Sequence, residues 1–186
     1  MTFDDIENKL VRAVTEVMEF LRLELIKELE NQGHVLTGKT IASINYDVQV
    51  TSEGIVARMM GNENALRLDT GVSAATVRGM YAPRTGRGGT SDYIQGLIDY
   101  FEDRGLGSEA KRAAFATANI AYDTGHPTPG SSRFASQAGG RRTGYIRHTL
   151  ESNVPKVRDM LTKDAKIAIE GIIQDYTKRW NKEFKS

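Results

Sequence analysis

Cysteine is absent from this chain, which excludes disulfide staples and any thiolate metal site. Histidine is scarce: His34, His126 and His148 are the full complement, and no two stand at a metal-ligand spacing. Each adjoins glycine, proline or arginine, so an exposed or interface histidine is a simpler reading than a catalytic one. No Gly-x-Ser-x-Gly elbow is present, and no carboxylate pair stands out from ordinary helix-surface charge. No catalytic group, cofactor or metal is therefore expected, and the chain does not read as an enzyme. Long hydrophobic runs are missing as well, so no membrane-spanning segment and no membrane partner are expected. Asp4, Asp5 and Glu7 stand where a signal peptide would carry basic residues, and a soluble protein made in a cytoplasm is the expectation. Charge of one sign is lacking overall: the net charge is +1, which gives no global attraction to nucleic acid.

What is present begins with two misleading motifs. Residues 33–40 spell Gly-His-Val-Leu-Thr-Gly-Lys-Thr, a full match to the phosphate-loop pattern, which works only when a strand feeds the loop and a helix follows it. Upstream, Ile6, Leu10, Ala13, Val14, Val17, Leu21, Leu25 and Leu29 form one helical stripe. Gly33 reads as the glycine just past that helix. Downstream, Ile44, Tyr46, Val48 and Val50 alternate with polar residues, the period of a half-buried strand. Helix, loop and hairpin is the wrong context for a nucleotide site. Asp69-Thr70-Gly71 and Asp123-Thr124-Gly125 each spell the aspartic-protease triplet. That chemistry needs each triplet in its own β lobe, whereas a helix is expected just before Asp123. Turn chemistry, an Asx-type hydrogen bond followed by a glycine at positive φ, accounts for both triplets.

With 186 residues, the chain is long enough to bury a core as one structural domain spanning 1–186. The pattern predicts an α+β fold, with long N- and C-terminal helices packed on a small antiparallel β-sheet. Residues 78–145 form a helical and Arg/Gly-rich loop insertion within it. Ser91 or Asp92 caps a helix carrying Tyr93, Ile94, Leu97, Ile98 and Phe101, and a second helix follows from Ser108. Residues 123–144 read as loop. The last helix begins near Tyr145, and Pro155 within it is tolerable if the true start is capped by Ser152 or Asn153.

Arginine concentrates on the loops. Arg78, Arg84 and Arg87 lie in an acid-free stretch from 70 to 91, and Arg133, Arg141, Arg142 and Arg147 in another from 125 to 149. Arginine among glycines suits contacts to carboxylates, phosphates or neighbouring chains, and equally suits an exposed loop with incidental charge. Of these, Arg78, Arg84, Arg87, Arg133, Arg141 and Arg142 are the candidate contacts to acidic neighbours or to DNA.

The order of several short motifs resembles the tail-completion and head–tail joining proteins of tailed phages, the group that includes minor tail protein Z and its lambdoid counterparts. The family's T-G-x-L-x-x-S-I signature matches Thr37, Gly38, Ser43 and Ile44, with Thr40 at the leucine position. Its next landmark, an apolar residue, an acid and Gly-Thr, is similar to Leu68, Asp69, Thr70 and Gly71, with the last two reversed. A helical insertion ending in Gly-x-Pro-x-Pro is matched at Gly125, Pro127 and Pro129, and an aromatic start to the last helix at Tyr145. The resemblance implies a structural virion protein located at the neck of the particle and assembled in the host cytoplasm. It implies a self-assembled ring, six-fold favoured and twelve-fold the alternative, with neck, connector and tail-tube proteins as partners and DNA passing through the lumen. A nucleic-acid-binding module using the same arginines is the competing expectation.

Overall fold

The computed structural model describes residues 3–34, 38–81 and 90–184. Thr37, Arg84 and Arg87 lie outside the described residues. The fold is α+β. In chain order it runs through α1 (Phe3–Asn31), α2 (Lys39–Ser43), β1 (Asn45–Thr51), β2 (Gly54–Met60), α3 (Glu63–Thr70) and α4 (Ala74–Tyr81). Next come α5 (Asp92–Asp103), a 3-10 turn (Gly107–Glu109), α6 (Ala110–Thr124), a 3-10 segment (Pro129–Ala138) and α7 (Tyr145–Phe184). The sheet has two antiparallel strands, β1 and β2.

The chain divides into two compact units. The first comprises Met1–Leu25, Ile44–Met60 and Arg147–Ser186; the second comprises Ile26–Ser43 and Gly61–Ile146. The expected insertion at 78–145 falls wholly inside the second unit, which also takes in residues 26–43 and 61–77.

In the first unit, the stripe read from the sequence of α1 is its packing face. Ala13, Val17, Met18 and Leu25 are buried, as is Ile44 at the start of the hairpin. Glu19 on α1 binds Arg22 at 2.8 Å and shares a side-chain hydrogen bond with Tyr46 on β1. Lys156 of α7 stands 4.0 Å from the centre of the Phe20 ring, a cation–π contact between the two long helices. Along β2 the alternation holds: Ile55, Ala57 and Met59 are half-buried, while Val56, Arg58 and Met60 are exposed. The register pairs Tyr46 with Met59 and Val48 with Ala57, so these residues share one face.

The second unit is built on alanine. Ile94 and Ile98 of α5 pack on Ala114 and Ala118 of α6, flanked by Tyr93, Leu97 and Phe101. Ala110, Ala114, Ala118 and Ala121 recur at helical spacing and are essentially inaccessible, which lets neighbouring helices approach closely. Phe115 and Ile120 on the same helix are exposed. Ser91 caps α5 by accepting the Ile94 N–H.

Three local expectations need correction. Residues 123–144 are not a plain loop: Pro129 opens a 3-10 segment whose Ala135 and Ala138 are buried. Burial of two small side chains, with Ser131 and Ser132 hydroxyls bonding the Thr128 and Pro129 carbonyls, organises a stretch that has no apolar period. α7 starts at Tyr145 and runs through Pro155, so neither Ser152 nor Asn153 is its cap. Proline in that position leaves a carbonyl unpaired one turn earlier and costs about 3 kcal/mol. Finally, α3 and α4 are helices where no helix was expected; among the described side chains each buries one, Ala65 and Val77, too few to leave a periodic signal.

Candidate functional site

The geometry of the second unit starts from the two Asp-Thr-Gly triplets. Both end a helix. Gly71 and Gly125 follow α3 and α6 with φ of 74° and 79° and bond back to the Arg67 and Ala121 carbonyls. Thr70 and Thr124 each donate a hydroxyl to the carbonyl one turn earlier, on Leu66 and Ile120. The residues that follow pair with each other: Val72 and His126 exchange backbone hydrogen bonds of 2.8 and 2.7 Å. A side chain at Gly71 would come within 2.7 Å of the His126 carbonyl, and one at Gly125 would strike that of Val72. Thus the glycines are required by backbone angle and by close approach. The aspartates do not form the expected local Asx turns as a pair. Asp69 instead accepts the backbone N–H of Ile146 at 2.7 Å, while Asp123 is exposed.

The phosphate-loop letters resolve in a similar way. Gly33, at φ 70°, closes α1 with its N–H on the Glu30 carbonyl while His34 reaches that of Leu29, the paired bonds of a Schellman ending. Behind Gly38 comes α2, only five residues long, and then a strand. The strand–loop–long helix framework that holds nucleotide phosphates is not the local structure here.

A second cluster binds residues 141–143 to the end of α1. Gln32 is fully buried and donates to Glu28 at 3.0 Å and to the Thr143 carbonyl at 3.3 Å. Arg141 pairs with Glu28 at 3.4 Å. Arg142 donates to the Gln32 carbonyl at 2.6 Å and to that of Gly33 at 3.3 Å, capping the negative end of the helix. His34 completes the cluster with its Nε2 3.0 Å from the Arg142 carbonyl. Burial, then the Arg142 charge, depress the His34 pKa to about 4. The ring is neutral at pH 7, and the proton on Nε2 is the one that serves the carbonyl.

These structures surround a cavity of about 890 Å³, within the size range of ligand pockets. Lys39, Arg67, Arg104, Arg133 and Arg142 line it together with Asp99 and Asp103. Arg104 occupies the C-cap of α5 and stands over two rings, 4.9 Å from the centre of Tyr100 and 5.1 Å from that of Phe134. Arg133 lies 4.8 Å from the Phe134 ring. His126, also on the wall, meets the Tyr93 hydroxyl at 2.7 Å, and burial lowers its pKa.

The arginines singled out in the sequence thus separate. Arg142 and Arg133 share the cavity. Arg141 is held by Glu28, and Arg78 donates to the Tyr122 carbonyl at 3.0 Å and stacks over the Tyr122 ring. Among the motif positions, Gly38 lines the cavity. Ser43 accepts the Asn62 N–H and so joins α2 to α3. Ile44 is core, and Pro127 follows a cis peptide bond on the cavity wall. Tyr145 is buried, its pKa raised to about 12 by that burial and then by the Asp69 charge. Arg104 was missed, although a signal existed: it directly precedes Gly105-Leu106-Gly107, the stop of α5, where a cation is favourable.

Comparison with known protein families, curated proteins and solved structures gave no match to this chain. Among the described residues, no group of three or more His, Asp or Glu could hold a metal ion, and no helix is long and apolar enough to cross a membrane.

Proposed function

We propose that this chain is a virion structural protein of a tailed bacteriophage, a ring subunit at the neck that completes the tail or joins it to the head. It acts by assembly and not by catalysis. Six copies form the favoured ring, twelve the alternative, and its partners are the adjacent neck, connector and tail-tube proteins.

One observation carries this reading. In the first unit, α7 holds Leu150, Val154, Leu161, Ile167, Ile169 and Ile173 in exposed positions, Val154 and Ile173 each at 59%. Exposed apolar side chains in this number along one helix mark an interaction surface. The hairpin adds exposed Val50, Val56 and Met60, and among the described residues no further strand pairs with either edge of its two-stranded sheet. A ring supplies what such surfaces need, because each subunit then meets its neighbour through two different faces. The order of family-like motifs along the chain supports the same reading.

Native mass spectrometry of the purified chain, alone and with its assembled tail tube, tests it. A closed hexamer or dodecamer under either condition is expected. A monomer under both conditions contradicts it.

A further inference from the structure

We infer that the cavity of the second unit binds an oxyanion, the phosphate or carboxylate group of a ligand small enough to enter it. The inference stands independently of the neck reading.

Its basis is an unbalanced set of guanidinium groups. Arg67 also lines the cavity but has its own carboxylate, Glu63, at 2.7 Å. Arg104 and Arg142 have none among the described residues. The Nε atoms of both are buried without a hydrogen-bond acceptor, which is unfavourable for a charged donor. The two groups also act on one another. Burial lowers the Arg142 pKa, the Arg104 charge lowers it further, and Tyr100 opposes the change. The carboxylates on the wall do not relieve this: neither Asp99 nor Asp103 is ion-paired with these arginines, and Asp99 already accepts from Gln95 at 2.8 Å.

The geometry is prepared for an anion. The Tyr100 and Phe134 rings both stand against the Arg104 guanidinium and restrict its position. A planar, pre-positioned guanidinium is well suited to paired bonds with a carboxylate or phosphate. Arg142 is fixed by its bonds to the end of α1. Arg133, exposed and stacked on the same Phe134 ring, adds a third cation at the wall. An incoming oxyanion would set a negative charge beside these cations and offset the repulsion between them.

Isothermal titration calorimetry of the full chain, with sodium pyrophosphate and separately with citrate at constant ionic strength, tests the proposal. Saturable binding of at least one anion is expected, weakened about tenfold or more in Arg104→Gln, which removes a charge-assisted contact. Arg133→Gln, at an exposed position, should weaken binding in the same direction and keeps the test valid if Arg104→Gln fails to fold. Saturation by pyrophosphate alone assigns a phosphate ligand; saturation by citrate alone assigns a carboxylate. The absence of saturable binding with both anions overturns the proposal, as does unchanged affinity in the folded variants.

Discussion

The carboxylate of Asp69 accepts the Ile146 backbone N–H at 2.7 Å across a sequence separation of 77 residues. The main-chain carbonyl of Asp69 also takes the Gly144 N–H at 2.7 Å. Gly144 stands in the N-cap position of α7 and has no side chain with which to cap. An acid from a distant helix end does that work, and its charge suits the positive end of the helix dipole.

Replacing Asp69 with alanine should therefore lower stability by about 1–2 kcal/mol, the usual loss when a capping side chain is removed. Asp69→Asn retains an acceptor and should lose less. Urea denaturation followed by circular dichroism measures both. Equal stability of the alanine variant and the parent would remove the capping role.

The glycines that end the two Asp-Thr-Gly triplets should be far less replaceable than positive-φ glycines that face open space. At Gly139, with φ of 61°, a Cβ meets nothing within 4 Å, so alanine there should cost about 1–2 kcal/mol of backbone strain. Gly125→Ala adds a collision with the Val72 carbonyl and the Ala74 amide, and should cost about 3 kcal/mol or more. Thermal unfolding of the two variants side by side makes the comparison. Equal losses would show that close approach at the Val72–His126 bridge is unimportant.

Acid should destabilise the fold through His34. Its pKa is about 4 in the folded chain against an ordinary value of 6.5, so the unfolded state takes up the proton first. Stability is present above pH 6.5, falls as pH drops toward 4, and is fully lost from this source below it. The expected loss is about 2 kcal/mol after allowance for partial solvent screening. His126, lowered by burial, contributes in the same direction. Urea midpoints between pH 7 and pH 4 should fall less steeply in His34→Gln than in the parent. Parallel profiles would contradict the assignment.

Elements whose instructions are local were readable from sequence. Gly33 ends α1 and Ser91 begins α5, each through bonds to residues within five positions. The strand alternation of the hairpin was equally plain. Elements set by distant partners were not. The start of α7 near Tyr145 was read, but its cap was not, because that cap is Asp69, 77 residues away in sequence. The α+β class was therefore legible, whereas α3, α4 and the 3-10 segment were not. At the cavity, Arg133 and Arg142 were named for their acid-free surroundings. Arg104 escaped notice because Glu102 and Asp103 precede it, and only folding reveals that it stacks on Phe134.

Charge placed on the exposed apolar residues of α7 should separate assembly from folding. Val154→Glu with Ile173→Glu alters two exposed positions, so the unfolding midpoint should move little. A charge in an apolar interface carries a large desolvation penalty, so the assembled form should give way to monomer in sedimentation velocity. If assembly is retained, these residues are not in the subunit interface.

Whether the chain occupies the phage neck is tested most directly by cryo-electron microscopy of complete tailed particles carrying an epitope-tagged copy, decorated with a tag-specific antibody fragment. A closed ring of decorated density between head and tail is the expected result. Intact particles with the label elsewhere, or with no label, would contradict it.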